Sequence, residues 1–349
     1  MNLYVHFPFC RSKCAYCALH SRAGSAPEAR AAYAESLARR VRAERAAGRV
    51  WDAVYFGGGS PALCDLSAFA GCGLETAREF TVELHPLDAT DAKLDELAAL
   101  GVNRVSMGVQ SFDDAVLARM GRGHSAADAL AAWRRIRAHG FANAGVDLIA
   151  GWPAADGVWR RTVETACSLE PVHVSCYTLI REPGTRVDLW TRKGTFAPPD
   201  DDAALAELDF AFDAFGKRGL RRYEISNCAR PGAECRHNLG TWRGEDYLGL
   251  GEGAHGRLGR ARTENGAVVD VLTPERDAVE RAIFAFRMRE GLDLDAAAKR
   301  FPALAPRLSE WRAALARLAA AGLVAAEGAR WRLTRRGTEV CDAVLAELV

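Results

Sequence analysis

The stretch that decides the fold is YVHFPFCRSKCAYC, which runs from Tyr4 to Cys17. A strand-like apolar opening leads directly into three cysteines, Cys10, Cys14 and Cys17, with the spacing C-x3-C-x2-C. Thiolates this close in sequence suit an iron–sulfur cluster, because cysteine sulfur binds its irons. Three ligands leave one iron of a four-iron cluster open to a small molecule. The alternative is zinc, which prefers paired C-x2-C motifs, and no second pair stands at a suitable distance.

Beyond this motif, β-branched or aromatic runs alternate with helical stretches rich in Ala, Leu and Arg. The predicted strands are Leu3–His6, Ala53–Phe56, Phe80–Leu84, Arg104–Val109, Ala144–Ile149 and Val172–Tyr177. The predicted helices between them are Ala29–Ala47, Asp91–Ala99, Asp113–Met120, Ala126–His139 and Gly157–Leu169. Such alternation indicates an α/β fold with a parallel sheet, either a barrel or an open doubly wound sheet. Because six strands are too few to close an eight-stranded barrel, we expect a partial, open barrel.

Changes in composition divide the chain into three predicted domains. Residues 1–195 form the barrel, 196–272 a Gly-rich extension of it, and 273–349 a mainly helical C-terminal domain. The last domain resembles a winged helix, with helix Ser309–Ala321, strands Leu323–Ala325 and Trp331–Leu333, and helix Thr338–Leu348. A winged helix can contact DNA, but near-neutral charge favours a packing or lid role here.

The bulk composition also limits the partners of the protein. The chain holds 46 basic and 45 acidic residues, which give a formal charge of +1. That balance offers no electrostatic case for a nucleic-acid or membrane-surface partner. We expect neither an export signal nor a membrane span, because the opening resembles a strand and no apolar run is long enough. Ten cysteines in such a chain suit a reducing compartment, so the expected location is the cytoplasm.

Glycines and polar residues occur at or just beyond several predicted strands. In Gly57-Gly58-Gly59-Ser60-Pro61 the glycines allow the backbone to approach a ligand closely. Further polar candidates are Glu83, Gln110, Arg122 and Asp147, while Tyr4 and Tyr16 flank the cysteines. Taken singly, each fits an ordinary surface, capping or core role. Because barrel enzymes place their sites at the carboxyl ends of strands, the polar candidates together would line one cavity.

Six motifs in this order resemble the radical S-adenosylmethionine (SAM) proteins: YVHFPFCRSKCAYC, YFGGGSP, VELHP, RVSMGVQSF, GRGH and GVDLIAGWP. More narrowly, the chain resembles the branch of oxygen-independent coproporphyrinogen III dehydrogenase and the HemW-type haem chaperones. The likeness continues through Ser175–Thr185 and Glu224–Gly256 and so covers nearly the whole chain. The resemblance implies a partial (β/α)6 barrel and a [4Fe–4S] cluster bound by the three cysteines. SAM would chelate the fourth iron of that cluster. The implied cofactor contacts are Tyr4, Tyr16, Gly58, Gly59, Ser60, Glu83, Gln110, Arg122 and Asp147.

Two departures from the dehydrogenase pattern favour the chaperone side of this branch. The dehydrogenase carries a further cysteine two positions after the third, where this chain has Leu19, and it has a longer N-terminal arm. The chaperones carry an HNxxYW signature linked with haem, and here the run is HNLGTW, from His237 to Trp242. By this resemblance His237 is the candidate haem ligand, and a neutral imidazole can ligate haem iron. A lone histidine is more often a hydrogen-bonded structural residue.

The expected function is therefore that of a haem chaperone, which binds the cluster, SAM and haem and passes haem to an acceptor protein. The alternative is a radical enzyme that cleaves SAM and decarboxylates the propionates of coproporphyrinogen. That enzyme would need an electron donor such as a flavodoxin or a ferredoxin. A weaker interpretation makes the C-terminal domain a regulatory or DNA-contacting module.

Overall fold

The computed structural model describes residues 1–349, and its first half alternates strands with helices. These elements are β1 (Asn2–Phe7), β2 (Phe9–Cys10), β3 (Arg22–Ala23), α1 (Pro27–Ala46), β4 (Ala53–Gly58), β5 (Glu79–Leu84), α2 (Asp91–Ala99), β6 (Arg104–Gln110), α3 (Asp114–Met120), α4 (Ala126–Ala138), β7 (Asn143–Ala150), α5 (Val158–Ser168) and β8 (His173–Thr178). All six predicted strands and all five predicted helices are present, with ends that shift by at most two residues. The helices begin where local chemistry favours it: α1 has a proline in its first turn, and Ser125 and Asp128 form a capping box at α4.

Six of the strands form a continuous parallel sheet in the order β1-β4-β5-β6-β7-β8. Strands of this sheet are largely buried on both faces, as the pattern of β5 illustrates, because helices cover the outside. The sheet stays open, since β1 and β8 each pair with a different further strand. The predicted partial (β/α)6 barrel is confirmed.

The next part of the chain adds strands to both edges of the barrel sheet. Its elements are α6 (Arg186–Arg192), α7 (Asp201–Lys217), β9 (Arg221–Arg222), β10 (Asn227–Ala229), α8 (Arg236–Trp242), β11 (Tyr247–Leu250), β12 (His255–Leu258), β13 (Ala261–Glu264) and β14 (Ala267–Val271). Strand β11 joins β1 in parallel and continues through β12, β13 and β14, whereas β10 and β9 pair beyond β8. The result is one open sheet of twelve strands.

Helix α8 covers the amino-terminal end of the barrel. The buried carboxylate of Glu79, the first residue of β5, accepts backbone N–H groups from Arg236 (3.0 Å) and His237 (3.4 Å). These donors belong to the first turn of the helix, where backbone N–H groups lack intrahelical partners. The opposite, carboxyl end of the barrel is therefore the open one.

The C-terminal part folds around its own hydrophobic core. It contains α9 (Pro274–Phe284), β15 (Leu292–Asp293), α10 (Leu294–Arg300), α11 (Leu308–Ala320), β16 (Val324–Glu327), β17 (Arg330–Leu333), α12 (Arg335–Glu339) and α13 (Cys341–Ala346). Three short strands in the order β15-β17-β16 pack with these helices, as expected for a winged-helix-like domain. A cluster of 19 buried residues, which includes Trp311, is separate from the barrel cluster of 48. The boundaries at 195/196 and 272/273 stay predictions. None of the helices combines the length and apolar character that a membrane crossing requires.

Candidate functional site

A cavity of about 660 Å³ lies at the carboxyl ends of the barrel strands. Eleven of the thirteen predicted site residues line it: Cys10, Cys14, Tyr16, Cys17, Gly58, Gly59, Ser60, Glu83, Gln110, Arg122 and Asp147. They come from the cysteine loop and from the ends of five different barrel elements. The convergence follows from topology, because parallel strands present all their carboxyl ends on one side of the sheet.

The cysteine loop connects β2 and β3, which pair with each other in parallel above the barrel. Ala15 fastens the loop to the end of α3, since its N–H donates to the carbonyl of Met120 at 2.8 Å. All three thiols are partly buried and free of disulfides. Burial raises the pKa of Cys10, and repulsion from the neighbouring Cys17 and Cys14 raises it further. Three such thiolates side by side need a cationic centre to offset their charge.

The glycine loop after β4 is packed tightly against this cysteine loop. The N–H groups of Gly59 and Ser60 donate to the carbonyls of Phe7 (2.8 Å) and Phe9 (2.7 Å). A methyl group on Gly59 would lie 2.4 Å from the Phe9 carbonyl oxygen and 2.9 Å from Cys10 Sγ. Glycine is therefore required at position 59 by close approach, and the loop holds the first cysteine in place.

Two carboxylates face the cavity from neighbouring parts of its wall. Glu83 accepts the hydroxyl of Tyr55 (2.8 Å) and the N–H of Gly58 (3.1 Å), and Asp147 accepts the hydroxyl of Ser106 (3.0 Å). Burial, with the Asp147 charge as a second cause, raises the pKa of Glu83 to about 7. Burial also raises the pKa of Asp147. Both groups are thus suited to bind hydroxyl groups or a cationic part of a ligand.

Gln110 ends β6 in a backbone conformation that is unusual for its residue type. Its φ is +72°, and the pairing of β6 with β7 shifts register between Gly108 and Gln110. A non-glycine residue in the left-handed region costs energy, and such strain is concentrated at functional sites. The irregularity brings the Gln110 side chain to the cavity wall.

Arg122 links the cysteine loop to the end of β6. One guanidinium nitrogen donates to Cys14 Sγ at 3.6 Å, and the other donates to the carbonyl of Gly108. The Nε of Arg122 is buried and has no hydrogen-bond partner. The guanidinium brings a positive charge to the cavity wall, which suits an anionic ligand group such as the carboxylate of an amino acid.

Ser60 also lines the cavity, but its hydroxyl has a partner in the protein. It donates to Asp88 at 2.5 Å, and Asp88 in turn accepts the Arg11 guanidinium at 2.7 Å. The side chain of Ser60 therefore braces the glycine loop, and its exposed atoms add to the wall.

The structure does not bring Tyr4 and His237 together with the other predicted residues. Tyr4 lies deeper in the barrel, where its hydroxyl hydrogen-bonds His6 Nδ1 at 2.9 Å. The His237 ring packs on Tyr55 and Tyr4, with centroids 5.1 and 5.9 Å apart, at the closed amino-terminal end. Burial lowers the pKa of His237 to about 4, so this histidine is neutral at physiological pH. Tyr4 contacts two residues that support the site: His6, against which Gly58 packs, and Tyr55, whose ring centroid lies 6.1 Å away and whose hydroxyl donates to Glu83.

Several residues of the cavity wall were not predicted from the sequence. His85 follows β5 directly, and a run at the end of β8 forms a largely apolar rim that includes Tyr177, Leu179 and Ile180. Leu19 also belongs to this rim. Both Leu19 and Ile180 are largely exposed, at 54% and 62%. For His85, Leu179 and Ile180, the position just after a barrel strand is the signal that could have identified them.

The three thiols suit an iron–sulfur cluster, because cysteine thiolates are the ordinary ligands of such clusters. No group of three His, Cys, Asp or Glu side chains converges closely enough to hold one ion. In a [4Fe–4S] cluster each thiolate binds a different iron, so the sulfurs stand further apart. The cavity beside the cysteines, with Arg122 in its wall, agrees with a ligand bound next to such a cluster.

Comparison with known proteins agrees with this geometry. Residues 4–164 match the family model of the Radical SAM superfamily, and residues 272–340 match that of the HemN C-terminal domain. A radical SAM domain implies a [4Fe–4S] cluster and SAM. The solved structure of coproporphyrinogen III oxidase (HemN) from Escherichia coli superimposes with a TM-score of 0.81, covering 99% of this chain and 89% of that one. At 21% identity this likeness establishes the fold.

Curated relatives identify the branch. The "Heme chaperone HemW" of Mycobacterium tuberculosis is 34% identical, over 100% of this chain and 94% of its own length. The protein of the same name from Synechocystis sp. is 34% identical over 75% of this chain and 68% of its own length. The mitochondrial "Radical S-adenosyl methionine domain-containing protein 1" of Mus musculus is 33% identical, over 82% and 68% respectively. The chain therefore belongs to the HemW-type branch of the radical SAM superfamily.

Proposed function

We propose that this protein is a haem chaperone, which binds a [4Fe–4S] cluster, SAM and haem and transfers haem to an acceptor protein. The observation that carries the proposal is the full-length similarity to a protein named "Heme chaperone HemW". The lack of a fourth cysteine near the cluster motif supports the same assignment, since Leu19 occupies that position.

The cavity supplies the groups that the proposed cofactors need. Cys10, Cys14 and Cys17 would each hold one iron, which leaves the fourth iron for the amino and carboxylate groups of SAM. Arg122, which lines the cavity, would neutralise that carboxylate with its guanidinium charge, and Glu83 and Asp147 would accept hydrogen bonds from hydroxyl or ammonium groups. With one electron from a donor such as a flavodoxin or a ferredoxin, a bound cluster and SAM would supply reductive cleavage of SAM to methionine and a 5′-deoxyadenosyl radical. The protein orients the reacting groups and limits the access of water.

Substitutions in the polar wall of the cavity should weaken SAM binding and leave the cluster intact. We expect Asp147→Ala and Gln110→Ala each to weaken SAM binding by roughly five- to a hundredfold, because a lost hydrogen bond to a polar or charged ligand costs about 1–3 kcal/mol. Iron content should stay unchanged, since neither residue is an iron ligand. Anaerobic calorimetry measures the affinity, with Glu164→Ala, an exposed carboxylate on α5, as the matched control. Unchanged affinity in both site variants would remove these residues from the SAM site.

His237 is the proposed axial ligand of haem iron. Its Nδ1 is buried without a hydrogen-bond partner, and its lowered pKa keeps the ring in the neutral form that ligates iron. The ring is enclosed by Tyr4, Tyr55 and Tyr247, so coordination requires α8 to move away from the end of the barrel.

The corresponding variant, His237→Ala, should lower haem affinity by about tenfold or more, because it removes the iron ligand. It should leave the iron–sulfur content and SAM affinity as in the parent, since His237 lies outside the cluster cavity. A Soret titration measures haem binding, with the exposed His255→Ala as control. Normal haem binding by His237→Ala would discard this ligand.

A radical oxidoreductase of the coproporphyrinogen type is the second candidate function. The apolar rim of Leu19, Tyr177 and Ile180 favours it, because the cavity extends past the proposed SAM contacts and offers an apolar surface for the pyrrole rings of the substrate. Anaerobic incubation with SAM, a reductant and either haem or coproporphyrinogen separates the two functions. A Soret shift without porphyrin turnover supports the chaperone. Conversion of coproporphyrinogen to protoporphyrinogen, coupled to 5′-deoxyadenosine release, would establish the enzyme instead.

A further inference from the structure

A second cavity, of about 540 Å³, lies where the barrel extension meets the C-terminal domain. One wall is formed by α7 and the segment after β9, and the other by β16, β17 and the start of α12. None of its residues belongs to the cluster cavity. Ligand sites are frequent between domains, and the volume falls within the range of small-molecule pockets.

Part of this second cavity is apolar and rigid. Its apolar surface comes from the partly exposed Phe212, Ile225 and Leu333, and the almost completely buried Phe286 and Met288 support it from the C-terminal core. The guanidinium of Arg222 lies over the ring of Phe212, 4.1 Å from its centroid. Aromatic and thioether side chains of this kind pack well against a flat apolar ligand.

The charged residues of the second cavity leave a positive excess. Five arginines and three carboxylates line it. Two of the carboxylates, Asp209 and Asp213, are paired with Arg335, at 2.7 and 3.9 Å. The third, Glu224, is buried and accepts the N–H of Ser226 at 3.2 Å, and burial raises its pKa. The carboxylates of the lining therefore pair only with Arg335, whereas Arg287 and Arg332 have acidic partners outside the cavity, Asp342 and Glu327.

Three of these arginines have donors without partners. Arg289 is exposed and forms neither an ion pair nor a side-chain hydrogen bond. The Nε atoms of Arg287 and Arg332 are buried and unsatisfied, although each guanidinium has an acidic partner at another nitrogen. Guanidinium groups of this kind are well suited to bind carboxylates.

We infer that this second cavity binds a planar apolar molecule with carboxylate arms, of the class of a propionate-bearing tetrapyrrole. The apolar surface of Phe212, Ile225 and Leu333 receives the ring, and the exposed Arg289 with the neighbouring arginines receives the carboxylates. The inference rests on the proposed haem function and names a site for its ligand. Arg287 also lies over the ring of Trp242, 5.0 Å from its centroid, which connects this wall to α8, the helix that carries His237.

The test uses protoporphyrin IX, which has no iron and therefore reports the cavity without axial coordination. Binding to the full-length, cluster-containing protein is followed by porphyrin fluorescence under anaerobic conditions. Arg289→Glu should weaken binding by about tenfold or more, because it replaces an attractive charge with a repulsive one. Arg336→Glu is the matched control, since Arg336 is also exposed and unpaired but lies outside the cavity. The dimethyl ester of protoporphyrin IX should bind at least about tenfold more weakly than the free acid.

The outcomes separate this inference from the proposed function. If Arg289→Glu binds protoporphyrin IX as the parent does, or if the ester binds as well as the acid, the cavity assignment is overturned while haem binding can persist. An equal loss in Arg289→Glu and Arg336→Glu would also overturn it, since the effect would then be one of net charge. Loss of haem binding in His237→Ala alone, with protoporphyrin binding intact, supports both sites. If the parent binds neither haem nor protoporphyrin IX, both the cavity and the chaperone are rejected.

Discussion

Cys14→Ala should yield a folded protein that has lost its iron–sulfur chromophore. The same is expected for Cys10→Ala and Cys17→Ala, because each change removes one of only three thiolates available to the cluster. The expected effect is a drop from about four irons per chain to near zero after anaerobic reconstitution, the iron number being that of a [4Fe–4S] cluster. Iron analysis and the visible spectrum measure it, and circular dichroism verifies that the barrel is folded.

The control for this experiment is a cysteine that lies in the hydrophobic core. Cys64 is 2% exposed and packs in the barrel cluster, so Cys64→Ala should reconstitute iron as the parent does, at a modest loss of stability. Cys341→Ala provides the same control in the C-terminal core. If Cys14→Ala binds four irons as readily as the parent, the assignment of the cluster to this loop is wrong.

The barrel and the cysteine loop were predictable because their signals are local. Each barrel strand is a short apolar run, and α2, α3 and α4 each begin at a side-chain N-cap, so the elements could be located within two residues. The grouping of Glu83, Gln110 and Asp147 followed from a topological rule, since residues at the carboxyl ends of parallel strands must share one side of the sheet.

The positions of Tyr4 and His237 depended on information that the local pattern does not contain. Tyr4 and His6 are two residues apart on β1 and therefore share one face of the strand. How deep each side chain lies in the barrel is set by the register of β1 with β4 and β11. His237 belongs to a helix that returns to the start of β5, through a hydrogen bond to Glu79 that spans 158 positions. Likewise, the second cavity joins residues from α7 and β17, which are far apart in sequence. Only the packed structure brings such residues together.

A substitution at Gly59 tests the site without changing any of the three cysteine ligands. The N–H of Gly59 is fastened to the carbonyl of Phe7, and there is no space for a side chain between the glycine loop and the cysteine loop. The added methyl group of Gly59→Ala would overlap the backbone oxygen of Phe9, which cannot rotate away as a flexible side chain could, and would press on Cys10 Sγ. Overpacking of this kind costs typically about 1–3 kcal/mol and is relieved by a shift of the backbone.

The backbone most able to shift is the cysteine loop, because β2 and β3 are only two residues long and form a sheet of their own. We therefore expect Gly59→Ala to lose most of its reconstituted iron while the thermal unfolding of the barrel changes little. Gly123→Ala is the matched control: position 123 lies on the loop after Arg122, and its nearest neighbour would be 3.9 Å away, at ordinary contact distance. Full iron incorporation by Gly59→Ala would mean that the cysteine loop tolerates displacement. In that case the close packing of Gly59 on Cys10 would not be what positions the first ligand of the cluster.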